Sequence, residues 1–417
     1  MKDNASLIIQ KLKEGRNVFL TGGAGVGKSY TIKKILENKE LKIIPLASTA
    51  LAAINIKALT IHKFFKFKIA KNISELKTSK EDLLELNKIL KNIDVVLIDE
   101  ISMVSADLFD MIHHRIQNYN IKLLVVGDFY QLEPVLSDGK YAFLSQFWKE
   151  FDFYSVILNK QHRMNDEEFY KNLLKIRLAN VDDCCVDYFY NYITDQDLNS
   201  NEFDDYTIIC GTNKEAKFIN QNKLAKIEAK SYKAKIDIIK NKFSPSNKIE
   251  QWIKTLPIEE DFEFKIGAKV IFTYNAHGFY NGMQGEIISY NEEQEVICVK
   301  SNNLIFSVEK TTFEYYEEYN TSNIEADAII KAYALKLAYA ITIHKSQGMS
   351  IEKLLCKCDN IFAKGQLYVA FSRAKNPNTF KISFNSSYNF FALMLKTKAK
   401  ANKAVDDFYS TLKGYVE

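Results

Sequence analysis

The chain has 417 residues, 47% hydrophobic and 26% charged, with a formal net charge of +4, as expected of a soluble globular protein long enough for several cores. No apolar run reaches the roughly 18 residues a membrane-spanning helix needs, and the opening MKDNASLIIQKLKEG is too polar for a secretory signal. Six cysteines, at 184, 185, 210, 298, 356 and 358, stand outside any paired C-x-x-C frame, so free thiols in a reducing cytoplasm are expected, not disulfides or a metal site.

In chain order, Val18-Phe19-Leu20 reads as a buried strand running into Thr21-Gly22-Gly23-Ala24-Gly25-Val26-Gly27-Lys28-Ser29, with a helix following through Leu36. This is G-x-x-x-x-G-K-S in a strand–loop–helix setting. Glycines let backbone N–H groups turn inward around the phosphates, and the helix N-terminus adds partial positive charge. Lys28 reaches the terminal phosphates, Ser29 coordinates Mg²⁺, and Tyr30 continues the cradle into the helix. Binding of a nucleoside triphosphate follows, although such loops also serve kinases and switches.

Asp94 to Glu100 is an apolar strand ending in two adjacent carboxylates, about 70 residues further on. Alternation along a strand lets the two acids do different work: Asp99 holds the Mg²⁺ shell, and Glu100 orients and deprotonates the attacking water. A third strand, Leu123 to Val126, ends in Gly127-Asp128-Phe129-Tyr130-Gln131-Leu132-Glu133-Pro134-Val135. There Gln131 can report the γ-phosphate and Phe129 can stack on a base; the alternatives are a loop-capping Asp128 and a core Phe129. Lysines at 223, 226, 230, 233, 235, 240 and 242, and again at 396, 398, 400 and 403, read as solvated faces, with phosphate contact as the alternative.

Late in the chain, Tyr339 to Ile343 reads as a buried strand ending in His344-Lys345-Ser346-Gln347-Gly348. Thr342, His344, Lys345 and Ser346 offer donors for backbone phosphates, and the glycine permits close approach. Gly365 to Arg373 reads as a helix, with Arg373 near its end able to point across a cleft.

The order of these segments resembles superfamily 1 helicases of the 5′-to-3′ branch, and within them the petite-integration-frequency (PIF) family, over nearly the whole chain. The segments are GGAGVGKS (22–29), ASTALAAINIKALTIHKFF (47–65), VVLIDEISMV (95–104), GDFYQLEPV (127–135), LNKQHRMNDEEFYKNLLKIR (158–177), IICGTNKEAKFINQNKL (208–224), KIGAKVIFTYN…FYNGMQGEI (265–287), AYAITIHKSQGMS (338–350) and GQLYVAFSRAKN (365–376). The next closest resemblance is to RecD-like proteins, and a RecD-like or conjugative-type translocase is the rival reading that keeps the enzyme but changes its branch. The resemblance implies that Arg163 and Arg373 neutralise the γ-phosphate in the transition state. It adds Gln347 and Gly348 to the nucleotide site, and Thr49, His62, Phe65, Phe129, Thr342, His344, Lys345 and Ser346 to a single-strand track. Three departures stand out. Met164 replaces the Gln expected after Arg163, and Glu133 replaces a second proline. The adenine-reading Gln has no clear counterpart, Gln10 being too close to the loop and Asn4 or Ser6 the substitutes.

The predicted fold is α/β. A RecA-like domain 1A at 1–150 carries a helical 1B wedge at 66–90, for which a plain connecting helix is the alternative. A second RecA-like domain, 2A, is split between 151–230 and 329–417 around a β-barrel 2B insertion at 231–328 that resembles a Src-homology-three fold. The implied activity is ATP-dependent 5′-to-3′ translocation on single-stranded DNA and unwinding of 5′-tailed duplex by a monomer that can dimerise on DNA. Repair, replication, recombination and telomere maintenance are the processes it suggests. The rival from another class is a nucleotide-gated single-strand clamp that remodels complexes without unwinding.

Overall fold

The structure is a computed structural model in which residues 3–48, 53, 56, 58–68, 70–134, 140–161, 166–198, 200–240, 246–274, 278–279, 282–301, 303–315 and 328–417 are described. The chain divides into two compact units, one of Met1–Asp197, Ile208–Thr212 and Thr342–Glu417, the other of Leu198–Thr207 and Asn213–Ile341.

The first unit opens with helix α1 (Asn4–Lys13), strand β1 (Val18–Gly22) and helix α2 (Lys28–Glu37). Strands β2 (Ile43–Ala47), β3 (Leu59–Thr60), β4 (Val95–Asp99), β5 (Lys122–Gly127) and β6 (Tyr154–Leu158) follow. They form a seven-stranded sheet in the order 414–416, β6, β1, β5, β4, β2, β3, with every pair parallel. Alternation sorts the side chains: Phe19, Val96, Ile98, Leu123 and Val125 enter one core, while Val18, Leu20, Val95, Leu97, Leu124 and Val126 enter the other. Both faces are covered, which is why these strands read as continuous apolar runs. The register pairs Thr21 with Gly127 and Ile98 with Val125, so the strand ends carrying the phosphate loop, the two acids and the Gln131 loop lie side by side. In open parallel sheets this carboxyl edge is where ligands bind.

A second sheet runs in the order 340–342, 207–210, 354–357, 380–383, 193–194, parallel between 354–357, 380–383 and 193–194. The predicted boundaries shift at two places. The strand after residue 150, β6, belongs to the first sheet beside β1. The chain's last strand, Gly414–Val416, also returns to that sheet and pairs with β6, although sequence placed 329–417 wholly in the second RecA-like domain. Within 66–90, helix Lys80–Leu90 is anchored in the first core by Leu86 and Leu90.

The other unit is mainly antiparallel. Its largest sheet has the order 304–308, 296–301, 284–291, 269–272, 335–337, with a register shift between Ile287 and Ser289, around a core of Phe264, Val270, Phe272, Ile287, Ile297 and Val299. The strand predicted at Tyr339 to Ile343 is observed as Ala340–Thr342, and Leu335–Leu337 just before it is a separate short strand in a different sheet. Lys223, predicted on a solvated face, is buried, because Asp204 Oδ1 at 2.7 Å and the Ser200 carbonyl at 3.0 Å accept from its ammonium.

Candidate active site

β1 ends in a glycine because nothing larger fits: a Cβ on Gly22 would sit 2.3 Å from the Leu158 carbonyl oxygen, at φ +148°. The chain then arches over Gly25 and Gly27, both at positive φ, and enters α2 at Lys28. Lys28 Nζ donates to the carbonyls of Gly22 and Gly23, each at 2.7 Å. Burial pulls the Lys28 pKa down, against the charges of Asp128, Glu100 and Asp99. The ammonium is thus held over the loop's mouth by bonds that an incoming phosphate can replace. Ala24, Gly25, Gly27, Lys28, Ser29 and Tyr30 line one cavity of about 260 Å³, and Glu100, Gln131, Gly348 and Arg373 complete its wall.

At the end of β4, Asp99 accepts from the Glu100 N–H at 2.9 Å. Burial and the neighbouring Glu100 charge push Asp99 up to about 7. Glu100 takes left-handed backbone angles, φ 52° and ψ 49°. A non-glycine residue pays about 1–3 kcal/mol to stay there, and such strain collects at functional sites. A hydroxyl at the head of α2 and a carboxylate at the end of β4 are hard oxygen donors suited to Mg²⁺. Among the described residues no cluster of three His, Cys, Asp or Glu could hold a metal, and the two oxygen donors here suit a cation carried by a triphosphate. Ser29 and Asp99 would hold it.

Gln131 is buried in the loop after β5. Gln347 Nε2 lies 3.4 Å from Gln131 Oε1, Glu100 Oε2 and Ser102 Oγ, a convergence of polar groups on the general-base candidate. Gly365 opens helix Gln366–Ser372 at φ +74°, and a Cβ there would meet the Gln131 carbonyl oxygen at 2.5 Å. That close approach sets the helix carrying Arg373 against the Gln131 loop. Arg373 lines the cavity while donating to the carbonyls of Val369 and Met349 and to Ser372 Oγ. Arg163, the other predicted arginine, lies outside the described residues.

Beneath the cavity is a hub that the motif reading missed. Asp128 is fully buried. It accepts Arg177 Nε at 2.9 Å and Nη2 at 2.8 Å, the Tyr130 N–H at 3.2 Å, and the hydroxyls of Tyr368 and Tyr409 at 3.3 Å. Tyr368 in turn accepts the Ala24 N–H of the phosphate loop at 2.7 Å. Burial opposes ionisation of Asp128, but the Arg177 charge and fork outweigh it, so its pKa falls below the ordinary value. An acid directly after an apolar strand signals such a partner. The spacing does not say that Arg177, at the far end of helix Glu167–Arg177, supplies it.

The predicted strand contacts divide. His62 and His344 are half-buried, with pKa lowered by burial, and Lys345 is exposed. Phe65 and Phe129 are fully buried: Phe65 stacks on Phe67, and Phe129 packs among Phe19, Phe143, Trp148 and Phe408. Neither ring can stack on a base here, and the core alternative for Phe129 is the one observed. Thr342 and Ser346 are buried, and Ser346 Oγ donates to the Ile343 carbonyl. Thr49 lies outside the described residues. Gln10 turns to Glu14, and Asn4 Nδ2 donates to Glu417 Oε1 at 3.2 Å.

A phosphate loop, paired acids, a buried glutamine and an arginine around one cavity at a parallel sheet's carboxyl edge define a P-loop nucleoside triphosphatase of RecA-like α/β fold. A sequence profile described as PIF1-like helicase matches residues 4–184, and one described as Helicase matches 273–405. The ATP-dependent DNA helicase Pif1 of Campylobacter jejuni is 42% identical in an alignment that covers 93% of this chain and 94% of that protein. The ATP-dependent DNA helicase Pif1 of Bdellovibrio bacteriovorus is 31% identical over 88% of this chain and 83% of its own length. The crystal structure of Pif1 helicase from Bacteroides in complex with ADP-AlF3 and ssDNA superposes with a TM-score of 0.80 at 26% identity, covering 98% of this chain and 96% of that one. The chain belongs to the PIF1-like helicase family.

Proposed function

We propose that the chain is an ATP-dependent DNA helicase that moves 5′-to-3′ along single-stranded DNA and opens 5′-tailed duplex. The observation that carries it is that Lys28, Ser29, Glu100, Gln131 and Arg373 line a common cavity, the set that binding and splitting a triphosphate requires. Backbone N–H groups of Gly25, Val26 and Gly27 receive the phosphates with Lys28, and Gly22 and Gly23 give the loop its arch. Glu100 takes the proton of the attacking water. Gln131 and Gln347 orient that water, and Gly348 leaves room for the phosphate. Arg373, with Arg163, neutralises the charge that develops on the γ-phosphate. Mg²⁺, held by Ser29 and Asp99, would supply further neutralisation.

The track is read as phosphate contact from Lys345, His344 and His62, with Thr49, Thr342 and Ser346 shaping the adjoining backbone. Backbone contact implies little sequence preference and marked salt sensitivity. The antiparallel unit at 231–328 is read as the 2B insertion, and the helix within 66–90 as the 1B wedge. The working unit is taken as a monomer able to dimerise on DNA, and its six free thiols suit a reducing cytoplasm.

Unwinding of a 5′-tailed against a 3′-tailed duplex, with ATP turnover followed in parallel, is the test. ATP-dependent unwinding from the 5′ tail alone is expected. Unwinding only from the 3′ tail would remove the direction, and DNA-stimulated turnover without unwinding would favour the clamp.

A further inference from the structure

The C-terminal segment does more than close a sheet edge. Strand Gly414–Val416 pairs with β6 through Ser155, Val156 and Ile157. The fit at Gly414 is so close that a Cβ there would sit 1.9 Å from the Ser155 carbonyl oxygen. Upstream, helix Lys403–Ser410 meets the Gln131 loop residue by residue. Asn402 Nδ2 donates to Glu133 Oε1 at 3.0 Å, and the Tyr130 hydroxyl donates to Asp406 Oδ1 at 2.8 Å. Phe408 packs edge-on to Phe129. Tyr409 reaches furthest: its oxygen accepts the Phe129 N–H at 3.2 Å and lies 2.7 Å from Thr21 Oγ1, while its hydroxyl donates to Asp128 Oδ1 at 3.3 Å. One hydroxyl proton satisfies all three contacts only if Thr21 donates to Tyr409.

Thr21 is the last residue before the phosphate loop, and Phe129 stands two residues before Gln131. A single phenol thus joins the roots of the two loops that must hold a γ-phosphate between them. Thr21, Asp128 and Phe129 are buried and Tyr409 is half-buried, a setting in which water is largely kept from these bonds and their geometry is held. We propose that Tyr409 is a positioning residue for ATP hydrolysis, setting the phosphate loop and the Gln131 loop at a fixed spacing from outside the cavity. This rests on the cavity being the site of hydrolysis. A purely structural tyrosine would affect stability alone. A positioning one affects turnover, because misplacement by about 1 Å costs up to roughly 100-fold in rate.

The test is single-strand-stimulated ATP turnover by the full chain as Tyr409→Phe, Thr21→Val and the double variant, with melting temperature measured on each. Tyr409→Phe keeps the ring in its aromatic packing and removes only the hydroxyl. Expected are a fall in kcat of about tenfold with KM for ATP changed less than about twofold, and a double variant no slower than the slower single. Thr21→Val keeps the proposal testable if Tyr409→Phe folds poorly. Wild-type kcat in both single variants, or losses that multiply in the double, would overturn the inference. A wild-type chain that hydrolyses no ATP would overturn the functional reading, and this inference with it.

Discussion

Arg177 closes a two-pronged fork on Asp128, with Nε 2.9 Å from Oδ2 and Nη2 2.8 Å from Oδ1, and its guanidinium centre lies 4.4 Å from the centre of the Tyr130 ring. Asp128 is fully buried and the Arg177 side chain nearly so. The pair stands under the phosphate loop, through Tyr368 and Ala24, and under the Gln131 loop, through the Tyr130 N–H.

Removing one partner strands the other. Arg177→Met should cost about 3–5 kcal/mol of folding stability, whereas Arg177→Met with Asp128→Leu should recover most of it. Urea unfolding of the three proteins measures this, and a single-variant loss below about 1 kcal/mol would show that the pair is not closed in solution.

Acid should expose the same pair. The folded pKa of Asp128 lies below its ordinary 3.8, so its stabilisation is fully present above about pH 4 and is lost as pH falls through the folded value. The stability gap between wild type and Asp128→Asn should therefore be constant from pH 7 down to about pH 5 and narrow below about pH 4. A gap that widens in acid would give the shift the opposite sign.

Phe129 separates core from track. Phe129→Ala should cost about 3–5 kcal/mol, as for other buried aromatics, with single-strand affinity per folded molecule unchanged. A base-stacking ring would give the reverse: affinity lost by about 1–3 kcal/mol with the melting temperature intact. Fluorescence anisotropy of a labelled strand, alongside thermal unfolding, distinguishes the two.

The contrast between Phe129 and Lys28 shows what a sequence of this kind makes legible. The phosphate loop, Asp99-Glu100 and Gln131 each sit just past a strand of apolar residues, and local spacing alone carries them to the carboxyl edge of one sheet. Phe129 follows such a strand too, but whether its ring faces solvent or core depends on Trp148 and Phe408, far away along the chain. The same is true of Arg177, Tyr368 and Tyr409, whose partners are 49, 240 and 281 residues distant. The return of the last strand to the first sheet also escaped, because Gly-Tyr-Val is too short to announce which edge it joins.

Removal of divalent cations tests the donor set. With EDTA in excess, turnover should fall to background. Ser29→Ala should raise the Mg²⁺ concentration for half-maximal turnover by about tenfold or more, since one of two protein oxygens is lost. Full activity in EDTA would contradict the assignment of Ser29 and Asp99.

If this cavity hydrolyses ATP with Glu100 as the base, single-strand-stimulated phosphate release by wild type, Lys28→Ala and Glu100→Gln will show it. Expected are turnover in wild type, none in Lys28→Ala, and a loss of about 100-fold or more in Glu100→Gln with ATP still bound. Normal hydrolysis by Glu100→Gln, or by Lys28→Ala, would contradict it.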